Sequence, residues 1–248
     1  MTATEAGSRL RLVFLVRNLE AGGVQRSQSR LAGAIAARGH PVVGPELDAR
    51  ARAPLDHPWF MPGEPPVVLG AGRLGRQKDF PTLIRAFSLL HAGRRARLVI
   101  LGGAREERRT AAEIAELSAL ARSLGVADDV ALPGPEANPF RFMARSAVFA
   151  LSSAWEGFGN VLVEAMACGC SVVSTDCPSG PAEILEGGRW GRLAAVGDAG
   201  GMARALERTL DDPMAADALK MRAASFSVDR AADSYLQLLG QPEGRQRH

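Results

Sequence analysis

Ser152-Ser153-Ala154-Trp155-Glu156-Gly157-Phe158-Gly159-Asn160-Val161-Leu162-Val163-Glu164-Ala165-Met166-Ala167 is the stretch that decides how this chain is read. The apolar run Ala147–Leu151 ahead of it reads as a strand. Gly-Phe-Gly-Asn is a turn, and the apolar residues beyond it read as a helix from Asn160 to Cys168, with Asn160 as N-cap. A helix that opens at the end of a strand turns its free N–H groups and positive dipole end outward, which suits a phosphate. Glu164 is the only charge between Glu156 and Asp176. A carboxylate in so apolar a helix needs hydrogen-bond donors, and ligand hydroxyls would supply them. Glu156 lies just before the turn and faces the same crevice in this reading. The plainer alternative is an ordinary capped helix with a paired glutamate.

The pattern repeats on both sides. Apolar runs read as strands at Val67–Leu69, Arg97–Leu101, Asp129–Leu132, Ala147–Leu151, Ser171–Ser174 and Arg192–Ala195. Segments of helical period fall between and after them, at Asp79–His91, Glu106–Leu124, Asn138–Arg145, Asn160–Cys168, Pro181–Leu185, Ala199–Leu210, Met214–Ser225 and Ser227–Leu239. Alternation of this kind predicts an α/β fold, a Rossmann-like doubly wound parallel sheet with helices on both faces and ligands at the carboxyl ends of the strands. Upstream, Leu10–Val16 reads as a strand and Val24–Arg38 as a helix. Residues 41–66 hold seven prolines and no convincing strand. The expected organisation is therefore an N-terminal β-α unit at 1–40, which the resemblance named below makes a remnant, and a Pro-rich linker at 41–65. A Rossmann-like domain follows at 66–226, then a C-terminal helix and basic tail at 227–248.

Composition narrows the classes. With 248 residues, 46% hydrophobic and 23% charged, the chain can bury a sizeable core, which excludes a disordered or fibrous protein. No apolar run reaches the ~18–20 residues of a membrane span, and the first residues lack the basic and apolar segments of a secretory signal. Basic residues outnumber acidic ones by only three, and with one Tyr and three Trp there is little surface on which bases could stack, so no nucleic-acid partner is expected. Cys168, Cys170 and Cys177 have no His nearby. Their spacing supports neither a zinc site nor a disulfide framework, and free thiols fit a reducing cytoplasm.

Three other segments sit at the same end of the predicted sheet. Gly72-Arg73-Leu74-Gly75-Arg76-Gln77-Lys78-Asp79 lies between a strand and a helix and offers glycine backbone and cations for an anion. Lys78 is one of only two lysines against 28 arginines, which in one reading marks a place that calls for an ammonium; the alternative is a solvated basic loop. Gly22-Gly23 opens the first helix and is a modest phosphate-loop signal, with neither a dinucleotide fingerprint nor a Walker loop. Leu132-Pro133-Gly134, with Asn138-Pro139 after it, could support a planar base.

Taken together these residues resemble the family-4 group of retaining glycosyltransferases, which have the GT-B architecture. Glu156-x7-Glu164 within its apolar setting carries the likeness. Gly72–Phe87, Gly180-Pro181-Ala182-Glu183-Ile184-Leu185 and Leu19-Glu20-Ala21-Gly22-Gly23-Val24-Gln25-Arg26 support it in the same order. The resemblance covers residues 66–240 as a sugar-nucleotide-binding domain. It implies transfer of a sugar from a nucleoside diphosphate sugar, a UDP-sugar foremost, to a glycan or lipid-linked acceptor with retention of configuration. It implies neither cofactor nor metal. Arg73 and Lys78 would hold the donor diphosphate and stabilise the charge of its departure, and Glu156 would contact the donor sugar; these three form the catalytic set. Glu164 would bind the ribose, Gly157, Phe158, Gly159, Asn160 and Val161 would present amides to the phosphates, Gly134 would adjoin the base, and Gly23 would close from the other domain.

A GT-B enzyme has two Rossmann-like domains. Here Arg38-Gly39-His40 resembles the end of the first helix and Pro41-Val42-Val43-Gly44-Pro45 the inter-domain linker, so most of the acceptor domain, on the order of 120–150 residues, is expected to be missing at His40/Pro41. Two further readings stand beside the enzyme: a non-catalytic donor-binding fragment, and a GT-B sugar-nucleotide epimerase, against which Gly-Phe-Gly-Asn argues. Arg26, Arg30 and Arg38 on the first helix could face anionic lipid, so peripheral membrane contact is kept beside a cytoplasmic location, against the plainer reading of a solvated face.

Overall fold

Six strands carry the architecture, and each falls on a short run rich in apolar residues. They are β1 Val67–Ala71, β2 Arg97–Leu101, β3 Val130–Gly134, β4 Val148–Leu151, β5 Ser171–Thr175 and β6 Arg192–Ala194. A computed structural model describes residues 45–104 and 106–226. The strands form one sheet in the order β3-β2-β1-β4-β5-β6, with every neighbouring pair parallel. This is the doubly wound order in which the sequence of strands reverses between β1 and β4, the place where such sheets bind ligands. The predicted parallel α/β sheet is the observed one.

Parallel strands covered on both faces read as unbroken apolar runs. β1, β4 and β5 are buried along their whole length. Their side chains alternate between two cores. Val68, Leu98 and Ile100 point to one face, where Leu83, Ile84 and Phe87 and then Met202 and Leu206 cover them. Leu69, Val99, Leu101 and Phe149 point to the other, under Leu162, Met166 and Ile184.

Eight helices flank these strands among the described residues: α1 Pro45–Arg52, α2 Phe80–His91, α3 Glu107–Ser123, α4 Phe140–Met143, α5 Asn160–Ala167, α6 Pro181–Ile184, α7 Ala199–Asp211 and α8 Ala216–Ala224. Local signals explain several of their ends. Asp79 caps α2, its carboxylate accepting from the Thr82 N–H at 3.4 Å and the Thr82 hydroxyl at 2.7 Å. Asp198 caps α7 by accepting from the Gly201 N–H at 2.8 Å.

Two expectations change. The stretch read as linker is structured from Pro45 onward. Leu47 and Ala51 of α1 are buried, and a short 3-10 helix, Pro58–Phe60, sets Trp59 and Phe60 against the second core. Asn160 is not the cap of α5: Gly159 occupies that position at φ 93°, and Asn160 is the first helical residue. Glycine adopts the left-handed backbone at little cost, so it takes the cap without a side-chain acceptor. The predicted strand 10–16, the helices at 24–38 and 227–239, and Gly23 lie outside the described residues.

Candidate functional site

The loops that leave β1, β2 and β3 are sewn together by their backbones. The Gly72 N–H donates to the Leu101 carbonyl at 2.9 Å, Leu74 N–H to the Gly103 carbonyl at 3.1 Å, and Gly102 N–H to the Gly134 carbonyl at 2.9 Å. Gly102 sits at φ 155°, and a Cβ there would lie 1.8 Å from the Gly72 carbonyl oxygen. Only a residue without a side chain allows this approach. The result is a floor of peptide groups across three strand ends.

Lys78 rises from the edge of that floor. Its main chain is fixed by a Lys78 N–H bond to the Gly75 carbonyl at 3.1 Å and by Asp79, which holds a left-handed backbone at φ 44° as it caps α2. Its ammonium meets Glu156 Oε1 at 2.6 Å, with the two side chains only 13% and 9% exposed. Glu156 Oε1 also accepts from the Ser153 hydroxyl at 2.6 Å. An exposed ion pair contributes little, but breaking a buried one leaves an uncompensated charge, so the pair locks both side chains in place.

The turn before α5 lies on the other side of the strand reversal. Gly157, Phe158 and Gly159 lead into Asn160 and Val161, whose backbone opens the helix. Gly180 passes under this turn so closely that a Cβ there would sit 1.7 Å from the Phe158 carbonyl oxygen. The Phe158 ring packs edge-on against Phe226 at 5.7 Å. Arg222 lies over the Phe226 ring and donates to the carbonyls of Glu183 and Ile184 at 2.9 and 3.0 Å. It thereby satisfies the open end of α6 beside the turn.

Between these parts is a cavity of about 310 Å³. Arg73, Lys78, Val161 and Glu164 line it, four residues that the sequence singled out. Glu156 stands behind Lys78 as its partner. Gly134 lies under the floor through its carbonyl, and Gly157 to Asn160 form the turn that leads to Val161. The sequence did not single out Gly102, Gly103, Pro135, Glu136 and Met143, which complete the wall. A Gly-Gly pair directly after an apolar strand was the available signal for the first two. Glu136 had none, being one acid in a Pro- and Gly-rich loop. Its carboxylate accepts from the Asn138 N–H at 2.7 Å and from Arg141 at 3.0 Å. Burial opposes its ionisation, but these donors outweigh burial and hold the carboxyl below the usual range. The cavity thus sets two cations against two carboxylates over a bed of peptide N–H and C=O groups. That arrangement can take a polyanion joined to a group rich in hydroxyls.

Among the described residues, no group of three or more His, Cys, Asp or Glu side chains is placed to hold a metal ion. Nor is any helix there long and apolar enough to cross a membrane. Cys170 and Cys177 are buried. Burial, with the Glu164 and Asp48 carboxylates adding to it, pushes the Cys168 thiol up to about 12.

The sequence profile described as "Glycosyl transferases group 1" matches residues 65–212. The chain belongs to this family. Among its relatives is the N-acetylgalactosamine-N,N'-diacetylbacillosaminyl-diphospho-undecaprenol 4-alpha-N-acetylgalactosaminyltransferase of Campylobacter jejuni, 37% identical over 179 residues, which are 70% of this chain and 46% of the relative. The lipopolysaccharide core biosynthesis glycosyltransferase LpsE of Rhizobium meliloti is 36% identical over 193 residues, 76% of this chain and 52% of that protein. A glycosyltransferase structure from Rickettsia africae superposes with a TM-score of 0.65 at 18% identity, over 79% of this chain and 51% of the other. The structure of Anabaena Alr3699/HepE in complex with UDP superposes with a TM-score of 0.60 at 26% identity, over 71% of this chain and 48% of the other. This member of the family spans about half the length of the relatives it matches.

Proposed function

We propose that the chain binds a nucleoside diphosphate sugar, a UDP-sugar foremost, and takes part in retaining transfer of its sugar to a glycan or lipid-linked acceptor. The observation that carries this is the cavity at the strand reversal, where Arg73 and the locked Lys78 face the N-terminal turn of α5 and Glu164. In this reading the diphosphate lies over the glycine floor. Arg73 grips it with its fork of donors, and Lys78 adds a fixed positive charge. As the bond to the anomeric carbon breaks, charge grows on the departing phosphate, and both cations stabilise it more than they stabilise the ground state. Backbone amides at 158–161 serve the same oxygens. Glu164 accepts from the ribose hydroxyls. Glu156 offers the sugar its second oxygen, since Lys78 and Ser153 both engage Oε1. The loop at Gly134 adjoins the base.

The UDP held by the Anabaena structure supports the choice of base, and the diphospho-undecaprenol in the name of one relative and the lipopolysaccharide core biosynthesis in the name of another support the choice of acceptor. The reaction proposed is free of metal and cofactor, with side-chain cations and amides carrying the diphosphate, and it takes place in the cytoplasm at the membrane face. Calorimetry of the chain with UDP, UDP-sugars and GDP-sugars tests donor binding. Dissociation constants of millimolar or tighter, unchanged by EDTA, are expected. Failure to bind any of them overturns the reading. Retention is tested separately, by the anomeric configuration of product read by NMR.

A further inference from the structure

Ser152 has no part in the reading above and Ser153 enters it only as a donor to Glu156, yet both are shut inside the protein, at 1% and 0% exposure. They follow directly on β4, and neighbouring residues of extended chain point in opposite directions. One hydroxyl therefore reaches back and the other forward. Ser152 Oγ donates to the Lys78 main-chain carbonyl at 2.7 Å. Ser153 Oγ donates at 2.6 Å to Glu156 Oε1, the oxygen that takes the Lys78 ammonium. Ser153 is fixed in turn, for its carbonyl accepts from the Thr175 hydroxyl at 2.5 Å, and Thr175 is fully buried at the end of β5. A second tie holds the same loops together, where the Ala154 N–H donates to the Gln77 carbonyl at 2.8 Å.

We propose that Ser152 and Ser153 are positioning residues, a pair of buried hydroxyls that holds Lys78 at both ends, the backbone directly and the ammonium through Glu156. A lysine carries four rotatable bonds, and a loose one must be ordered each time an anion arrives. The clamp removes that freedom before the donor binds, so the charge stands ready at one place. The carboxylate benefits as well. A hydrogen bond from Ser153 keeps Glu156 aimed at Lys78 and away from the phosphates, which a free carboxylate would repel. The proposal rests on the donor-binding reading for its purpose, but the clamp itself exists in the free protein.

The chain has only two lysines, Lys78 and the exposed Lys220, so the test can be read without ligand. In full-length protein labelled with 13C- and 15N-lysine, the Cε–Hε region holds two side-chain signals, assigned with Lys220→Arg. In the parent protein the Lys78 signal should be displaced from that of Lys220 and should shift on addition of UDP. Ser153→Ala should bring the Lys78 signal close to that of Lys220 and weaken UDP about tenfold, leaving the Lys220 signal unmoved. Ser152→Ala should do the same to a smaller degree. If Ser153→Ala does not fold, Ser153→Cys keeps the volume with a weaker donor and should show the same change in reduced form. A Lys78 signal that stays at the parent position in the folded serine variants overturns the clamp. A parent protein that ignores UDP and GDP overturns the donor reading instead, and the lysine signals in the serine variants then still decide the clamp.

Discussion

Gly102→Ala probes the glycine floor more sharply than any substitution of a charged residue. The new Cβ would stand 1.8 Å from the Gly72 carbonyl oxygen and 2.9 Å from its carbon. A comfortable carbon–oxygen contact is about 3.3 Å, so the two loops must part by more than about 1 Å. Parting them strains the bonds from Gly72 N–H to Leu101 and from Gly102 N–H to Gly134, each 2.9 Å long. Overpacking costs about 1–3 kcal/mol, each weakened bond about 0.5–1.5 kcal/mol, and an alanine at positive φ about 1 kcal/mol. The expected loss is on the order of 4 kcal/mol. With a urea m-value of about 2 kcal/mol/M, the unfolding midpoint should fall by about 2 M. The floor also rises into the cavity, so UDP should bind at least tenfold more weakly where the variant folds. Gly93→Ala is the control, because its Cβ meets nothing within 4 Å and its φ is not positive; its midpoint should hold or rise slightly. A Gly102→Ala protein that unfolds at the parent's urea concentration and binds UDP as the parent does would refute the close approach on which the site is built.

Other expectations follow from single features. Lys78→Met leaves Glu156 nearly buried beside a lone serine donor and should cost about 3 kcal/mol in urea unfolding; adding Glu156→Gln should restore most of that stability but none of the UDP binding. Burial, then the nearby Arg97 charge, lowers the pKa of His57, whose Nδ1 accepts from the Trp59 N–H at 3.2 Å. The unfolded chain therefore takes up its proton at a higher pH than the folded one, and stability should fall as pH drops through about 6.5 and below. Urea midpoints at pH 7.5 and 5.5 measure this, and His57→Asn, which keeps an acceptor for the cap, should reduce the drop. The Cys168 thiol, pushed up to about 12, and the buried Cys170 and Cys177 should react slowly with Ellman's reagent at pH 8 and all three quickly in denaturant.

The strands were legible because a parallel sheet covered on both faces writes itself as continuous apolar runs. Val148–Leu151 and Ser171–Thr175 could hardly be anything else. Arg73, Lys78 and Glu156 were legible as candidates because each lies in the loop between one strand and the next helix. Helix α1 was not. Its eight residues, Pro45 to Arg52, hold two buried apolar side chains, Leu47 and Ala51, too few to mark a helix beside so many prolines. What holds it comes from 87 to 94 residues away. The cap of α5 was misplaced because asparagine is the stronger cap by type, but Gly159 has the backbone that the turn requires. Glu136 and the two serines were silent for a third reason. Ser152 meets the Lys78 carbonyl 74 residues away, while Glu136 and Ser153 meet Arg141 and Glu156 only five and three residues along the chain, through side chains that residue type alone does not aim.

The arginines of the α4 region have a practical consequence for anyone who wants the sheet-bearing domain by itself. Arg141 donates to the Pro54 carbonyl at 3.0 Å, Arg145 to Ala51 at 3.1 Å, and Asn138 to Arg50 at 2.8 Å, while Arg50 reaches back to Ala137 at 2.8 Å and lies over the Phe140 ring. These bonds fasten the residues before β1 to a wall of the cavity, next to Pro139 and Met143. A recombinant fragment begun at Pro66, just before the first strand, would strip the cover from Phe142 and take one acceptor each from Arg141, Arg145 and Asn138. A fragment begun at or before Pro45 keeps that seam closed, so the useful cut for expression, crystallisation or fusion lies some twenty residues ahead of the first strand.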